Sequence, residues 1–469
     1  MARKRNPELI TNVHFTGLAD KGQSVGRDAE GRVVFAEGPV PGDEADVLAI
    51  KKKKGFLIGV PQHYHRFSEH RTEPFCQHYD TCGGCQWQHL DYAAQAQHKE
   101  QVVRNALQRI GKVEVGTFYP ILAATQTEYY RNKLEFTFSN KRWLLPEELN
   151  NPDITNEENV LGFHRPGAFN KIVDIQHCWL QRDPSNQLRL GIKQLGIEEG
   201  LPFYDTDKES GLLRHIIIRT TSTGEVMVIL SFFKNEAETV QAFLGKVLER
   251  FPEITTLIYC INSKKNDYLY DLDMNTFSGK GYVEEKLGSV RFRVGPKSFF
   301  QTNTEQAKVL YDVVKDFAGL DGSQNVYDLY TGVGSIALYL AESCKQVVGV
   351  EEIALAIEDA KVNAAINDIE NCVFYAGDVK DILSPEFAAT HGAPDLVITD
   401  PPRSGMHPKV VEFFLELEAP RIVYVSCNPA TQARDLQLLG EKYTVEKVQP
   451  VDMFPHTHHI ENVALLIRK

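Results

Sequence analysis

The 469-residue chain has no apolar run approaching the ~18 residues that cross a bilayer, and no apolar stretch follows its basic start, Met1 to Ile10. Neither a membrane span nor a secretory leader is expected, which points to the cytosol. An excess of positive charge is also missing: 51 Lys and Arg against 63 Asp and Glu leave −12. That balance excludes a nonspecific polyanion binder but not a local basic patch. There is no internal repeat and no low-complexity tract, so solenoids and disordered tails drop out. Cysteine is too sparse for a disulfide framework: of the 8 in the chain, Cys76, Cys82 and Cys85 crowd together and the rest are scattered. In a large cytosolic chain such a cluster points to a metal or redox site.

What is present reads as multidomain and globular, at 42% hydrophobic and 24% charged. Residues 1–66 alternate short apolar stretches (Val13–Phe15, Val33–Ala36, Ala45–Ile50, Phe56–Val60) with turn signals, the pattern of an OB-like β-barrel. Lys51–Lys54 lie between two of these strands, where they could meet phosphates. Residues 67–290 read as a mixed α+β central domain that holds the metal cluster. It includes a helix over 91–111, expected to pack with the C-terminal part, strands at Leu134–Phe138, Ile216–Thr220 and Val226–Phe232, and an acidic surface excursion at 146–159. In the last stretch, residues 291–469, strands and helices alternate from about 325 onward, as in an α/β Rossmann-like domain.

In that C-terminal part, Thr331-Gly332-Val333-Gly334-Ser335-Ile336-Ala337 runs from a strand into a helix as Gly-x-Gly-x-x-Ala, a turn that lets a ligand approach backbone. Glu351 ends the next strand, where a carboxylate can accept both ribose hydroxyls of an adenosine. Asp378 and Asp400 follow at later strand ends, and ligands of open α/β sheets bind there. The turn alone does not choose between NAD and S-adenosylmethionine.

Cys427 closes the apolar strand Ile422–Val425, before a helix expected near Thr431. A thiol near a helix N-terminus is expected to have a lowered pKa, which suits an attacking group. Such a nucleophile fits methylation of uracil carbon 5, where a thiolate must first add to carbon 6 and a base must later remove the carbon-5 proton. Base candidates lie in Asp452–Asn462: Glu461, with His456, His458 and His459 as rivals. In the cysteine segment, Gly83-Gly84 lets the loop fold around a ligand; four thiolates satisfy Zn²⁺ or a [4Fe–4S] cluster, and spacing does not decide between them.

Four stretches together carry a resemblance: Ser426-Cys427-Asn428-Pro429, Asp400-Pro401-Pro402-Arg403, Phe300-Gln301-Thr302-Asn303, and Asp452-Met453-Phe454-Pro455 leading to His459-Ile460-Glu461. Over nearly its whole length the chain resembles the RNA uridine-5-methyltransferases, and among them the iron–sulphur 23S ribosomal RNA type. The resemblance implies Cys427 as nucleophile and Glu461 as general base. It implies Gln301, Tyr330, Glu351 and Asp378 on S-adenosylmethionine, with Ser335 lining the turn and Asp400 between cofactor and uracil. Phe299 or Phe300 would help hold a flipped base. Cys178 would complete Cys76, Cys82 and Cys85 around a [4Fe–4S] cluster of structural role, and residues 1–66 would be a TRAM domain. Two positions depart from the family's usual residues, Thr331 and Ser335, and both line the turn. The partner implied is RNA, ribosomal before transfer RNA; the sequence calls for no membrane and no obligate protein partner. A noncatalytic RNA-binding iron–sulphur protein is the alternative of another class.

Overall fold

Five strands close on themselves at the start of the chain: Glu8–Leu18, Ser24–Arg27, Val33–Ala36, Glu44–Lys53 and Phe56–Arg66 form a closed barrel. Strand alternation turns Val13, Phe15, Val34 and Val47 into its core and leaves Lys51–Lys54 exposed at the tip of the last hairpin. The computed structural model describes residues 8–19, 22–149 and 151–469. The basic start of the chain through residue 7, and residue 150 of the expected surface excursion, lie outside them.

A seven-stranded sheet forms the middle, in the spatial order Asn275–Ser278, Thr256–Ile261, Val226–Phe232, Leu213–Thr220, Lys133–Lys141, Glu157–Arg165, Ala168–Asp174. Its two faces serve two cores. Ile216, Ile218 and Val228 face the helices Ser185–Glu198 and Ala237–Arg250. Ile217, Met227 and Ile229 share a second core with Leu310 and Val314 of the helix Thr304–Ala318. Burial on both faces explains why Ile216-Ile217-Ile218 is a continuous apolar run rather than an alternation.

The C-terminal sheet has eight strands, ordered Cys372–Ala376, Gln346–Glu351, Asn325–Leu329, Leu396–Thr399, Arg421–Ser426, Glu461–Arg468, Tyr443–Val451, Val115–Phe118. The first five run parallel, and Glu461–Arg468 returns antiparallel beside Arg421–Ser426. The last strand comes from far upstream and pairs in parallel with Tyr443–Val451. The expected helix over 91–111 is α-helical over Tyr92–Asn105, capped by Asp91, and π-helical over Ala106–Gly111. Its end packs on the helix Pro429–Leu439 so closely that a Cβ on Gly111 would lie 2.7 Å from the Ala433 carbonyl oxygen. That partner helix begins at Pro429 with Asn428 as cap, two residues ahead of the start expected at Thr431, because Pro suits a first helical position. Among the described residues no helix is long and apolar enough to cross a membrane.

Candidate functional site

Parallel pairing puts the carboxyl ends of Asn325–Leu329, Gln346–Glu351, Leu396–Thr399 and Arg421–Ser426 along one edge. The residues just beyond those ends form the site. Tyr330 leaves its strand at φ 64, a left-handed conformation that side-chain-bearing residues disfavour and that clusters at functional sites. Gly332 and Gly334 follow at φ 57 and φ 80. Glu351 closes this turn from the neighbouring strand, accepting the Gly332 N–H at 3.1 Å and the Ile353 N–H at 3.0 Å. Ser335 opens the next helix, and its hydroxyl meets the Tyr311 hydroxyl at 2.9 Å. Asp378 caps the short helix Val379–Ile382 and pairs with Lys380, which holds its carboxyl below the usual range. Gln301 is anchored through its carbonyl, which accepts from Asn132 Nδ2 at 2.9 Å.

Cys427 and Glu461 meet across two antiparallel strands. Ser426 pairs with Asn462, so the next residue of one strand and the preceding residue of the other stand side by side. Cys427 is half-buried, whereas Glu461 is 6% exposed. Arg403 reaches the thiol, and its guanidinium also lies 2.9 Å from His459 Nδ1. The backbone of Arg403 is tied down in turn, its carbonyl accepting from Asn428 Nδ2 at 3.0 Å.

The electrostatics depart from expectation. Burial, with Glu461 and Asp400 beside it, pushes the Cys427 thiol up to about 11, against the pull of Arg403. The anticipated lowering by a helix start is outweighed: the Asn428 side chain already takes the Ala430 N–H, and two carboxyls face the sulphur. Burial and Asp400 hold Glu461 well above the carboxylate range, while Arg403 works the other way. Burial and Asp328 push Asp400 up to about 7. Asp328 itself is pushed up to about 7 by burial, although its Oδ2 accepts from Thr331 Oγ1 at 2.5 Å. Three carboxyls, of Asp328, Asp400 and Glu461, are thus gathered at these strand ends, with Arg403 as a cation beside Glu461.

The two candidate aromatics separate. Phe299 is 72% exposed, whereas Phe300 is 4% exposed and packs against Phe292 in the core. Of the histidines, His456 is engaged with Gln95 and His459 with Arg403, and burial pushes both rings down, to about 4 and about 3.

Two groups at the site escape the sequence reading. Tyr311, buried on Thr304–Ala318, feels Asp400, Asp328 and Glu461, but its position on an amphipathic helix reads as plain core. Asp328 lies next to the end of the strand Asn325–Leu329, before the glycine turn, and its buried carboxyl reads in the sequence only as a strand residue.

The cysteines Cys76, Cys82, Cys85 and Cys178 come together around one cavity of about 190 Å³. The Gly84 N–H points at Cys82 Sγ, 3.3 Å away. Gly83 sits at φ +74, and a Cβ there would fall 2.1 Å from Pro166 Cγ, so the loop requires glycine. Among the described residues, no three His, Cys, Asp or Glu side chains converge on one point as a single ion would require.

The tRNA (Uracil-5-)-methyltransferase family matches residues 213–469, and the TRAM domain family matches residues 10–61. An uncharacterized RNA methyltransferase of Bacteroides thetaiotaomicron is 50% identical across 96% of this chain and 99% of its own. One of Chlorobaculum tepidum is 38% identical across 99% of this chain and 98% of its own. The crystal structure of Pyrococcus abyssi tRNA (uracil-54, C5)-methyltransferase, in complex with S-adenosyl-L-homocysteine, superposes with a TM-score of 0.75 at 27% identity. That match covers 97% of this chain and 100% of the archaeal one. On the strength of the family match and of relatives aligned end to end, the chain belongs to the RNA uracil-5-methyltransferase family.

Proposed function

We propose that this protein transfers a methyl group from S-adenosylmethionine to carbon 5 of a uridine in 23S ribosomal RNA, through a transient bond between Cys427 and carbon 6. The observation that carries the proposal is the strand register that sets a half-exposed thiol beside a buried carboxyl. Cys427 Sγ adds to carbon 6, which places carbanion character on carbon 5 and negative charge on O4. S-adenosylmethionine would supply an electrophilic methyl on a sulfonium centre, whose charge also favours the anionic forms of Cys427 and Glu461. After methylation, Glu461 takes the carbon-5 proton, the C5=C6 bond re-forms, and the thiolate leaves. His456 is held by Gln95 and His459 by Arg403, and burial holds both rings far below the usual imidazole range, which makes them weak bases and supports Glu461.

The cofactor reading assigns Glu351 to the ribose, Asp378 to the adenine edge, and Gln301, Tyr330 and Ser335 to the remaining surface, with Asp400 between cofactor and uracil. The bound S-adenosyl-L-homocysteine of the archaeal relative supports it. Phe299, free in solvent, is the aromatic available to stack on a base, whereas Phe300 is locked in the core. That Cys76, Cys82, Cys85 and Cys178 line one cavity supports a [4Fe–4S] cluster as the group they would hold. Cys76, Cys82, Cys85 and Cys178 would hold it, and it would supply a structural tie between their two segments. The exposed lysines of the barrel tip fit a phosphate backbone.

Transfer RNA is the second reading. The resemblance places ribosomal RNA before transfer RNA. The archaeal tRNA enzyme matches 97% of this chain, so the architecture does not separate the two substrates.

The decisive experiment uses RNA carrying 5-fluorouridine, which cannot release its fluorine as a proton. It should trap a covalent protein–RNA adduct that survives denaturation, and Cys427→Ala should abolish it. An adduct that persists in Cys427→Ala would end the proposal. Mapping 5-methyluridine in ribosomal and transfer RNA from cells lacking the protein assigns the substrate.

A further inference from the structure

The irregular segment that precedes Glu461 is held mostly from outside. Asp452 and Lys99, 0% and 1% exposed, pair at 2.6 Å. Lys99 Nζ also donates to the Phe454 carbonyl at 3.0 Å, and the Tyr92 hydroxyl donates to Asp452 Oδ2 at 2.9 Å. The His456 N–H donates to Gln95 Oε1 at 2.9 Å, and the Gln86 and Trp87 N–H groups donate to the His456 carbonyl at 2.8 and 3.1 Å. His456 sits at φ 63, a conformation its own side chain disfavours, and this outside grip maintains it. From other directions Asn303 bonds the Met453 carbonyl at 2.9 Å and the Tyr130 hydroxyl bonds the Pro455 carbonyl at 3.0 Å.

A buried Lys–Asp pair is a poor way to gain stability, since a well-packed apolar pair of similar volume does as well or better. What such a pair provides is direction. Here it fixes the loop that ends two residues past His459, at Glu461. The nucleophile has ties of its own, Asn428 Nδ2 donating to the Arg403 carbonyl and Gln432 Nε2 to the Tyr424 carbonyl; the two sides meet where Gln432 Nε2 donates to the Asn462 carbonyl and Arg403 meets His459.

We propose that residues 86–99 are a clasp that sets the position of Glu461, and that Lys99, Gln95 and Tyr92 are positioning residues for product release. The step concerned is the last one. The Glu461 carboxylate accepts the carbon-5 proton, the C5–H electron pair re-forms C5=C6, the C6–Sγ bond breaks, and Cys427 leaves as thiolate. Loosening the clasp displaces the base relative to a nucleophile that stays in place, so addition continues while release slows. This inference rests on the covalent reading above.

The test measures how much enzyme is linked to RNA during turnover of natural uridine RNA with S-adenosylmethionine, by denaturing gel. The main variant is Lys99→Met with Asp452→Asn, which orphans no charge. Tyr92→Phe, which loses one hydroxyl, serves if the double variant folds poorly. Both should raise the linked fraction by about tenfold or more, part of the ~10²–10⁴-fold that a general base supplies, while single-turnover formation of the adduct stays within about twofold. An unchanged linked fraction, with methylation slowed or not, overturns the clasp. Glu461→Gln is the control: it should accumulate adduct whatever the clasp does. If it does not, the covalent reading fails and the clasp with it; if it does and the clasp variants do not, only the clasp fails.

Discussion

Phe299 and Phe300 are chain neighbours with opposite environments, one at 72% exposure and the other at 4%. Sequence could not separate them, because which of two adjacent aromatics is buried depends on tertiary packing, here of Phe300 against Phe292 on the strand Val290–Val294. Phe299→Ala should weaken RNA binding by about tenfold, the loss of ~1–3 kcal/mol of base stacking, with little change in melting temperature. Phe300→Ala should instead cost ~3–5 kcal/mol of stability. Reversed results, by RNA titration and calorimetry, would reassign the pair. The acid–base pattern makes a second prediction. Cys427 is pushed up to about 11 and Glu461 is raised, yet the reaction needs both as anions. A raised pKa delays the anion to higher pH, so kcat/KM should go on climbing toward about pH 11, where the Cys427 thiol ionises. Arg403→Met removes the group that lowers both, so the climb should move further toward alkaline pH. A profile that stays flat, or a shift toward acid, would contradict this account. Cys427 and Glu461 were legible because each sits at the end of a plainly apolar strand. Lys99 was not, since a lysine on a helix reads as solvent-facing, and only the fold buries it against Asp452.

Among elements, the parallel strands of the C-terminal sheet carry the plainest signal, and Ile422–Val425 is extended by one residue at each end. Leu396–Thr399 and Arg421–Ser426 are continuous apolar runs closed by turn residues, the signature of strands covered on both faces. The two helices of the central part, Ser185–Glu198 and Ala237–Arg250, escaped notice. The first carries Gly191 and Gly196, packed against Phe251 and Leu213, which weaken any helical signal. The strand Val115–Phe118 is harder still. It has four residues, a glycine among them, and nothing nearby announces its partner. Gly116 lies so close to Tyr443–Val451 that a Cβ there would meet the Glu446 carbonyl oxygen at 2.7 Å. Gly116→Val should therefore destabilise by ~1–3 kcal/mol and speed amide exchange along Tyr443–Val451, even though valine favours strands. A higher melting temperature would mean that the strand is not closely paired.

Over the whole molecule, the parts are tied at a few points that carry much of the organisation. Asp43 of the barrel, fully buried, pairs with Arg71 at 2.6 Å, and Trp87 packs against Leu18, Val40 and Leu90. The middle sheet shares a core with the C-terminal part. The far edge of the last sheet is supplied by residues 115–118, long before the rest of that sheet appears in the chain. Chains emerge from the ribosome N-terminus first, and domains tend to fold as they appear. This one cannot complete its largest layer until Glu461–Arg468, the strand that joins Tyr443–Val451 to the others, has been made. A cut anywhere between residues 119 and 442 would leave two pieces, each holding an incomplete share of one sheet, so splitting the gene there should yield halves that need each other to become soluble.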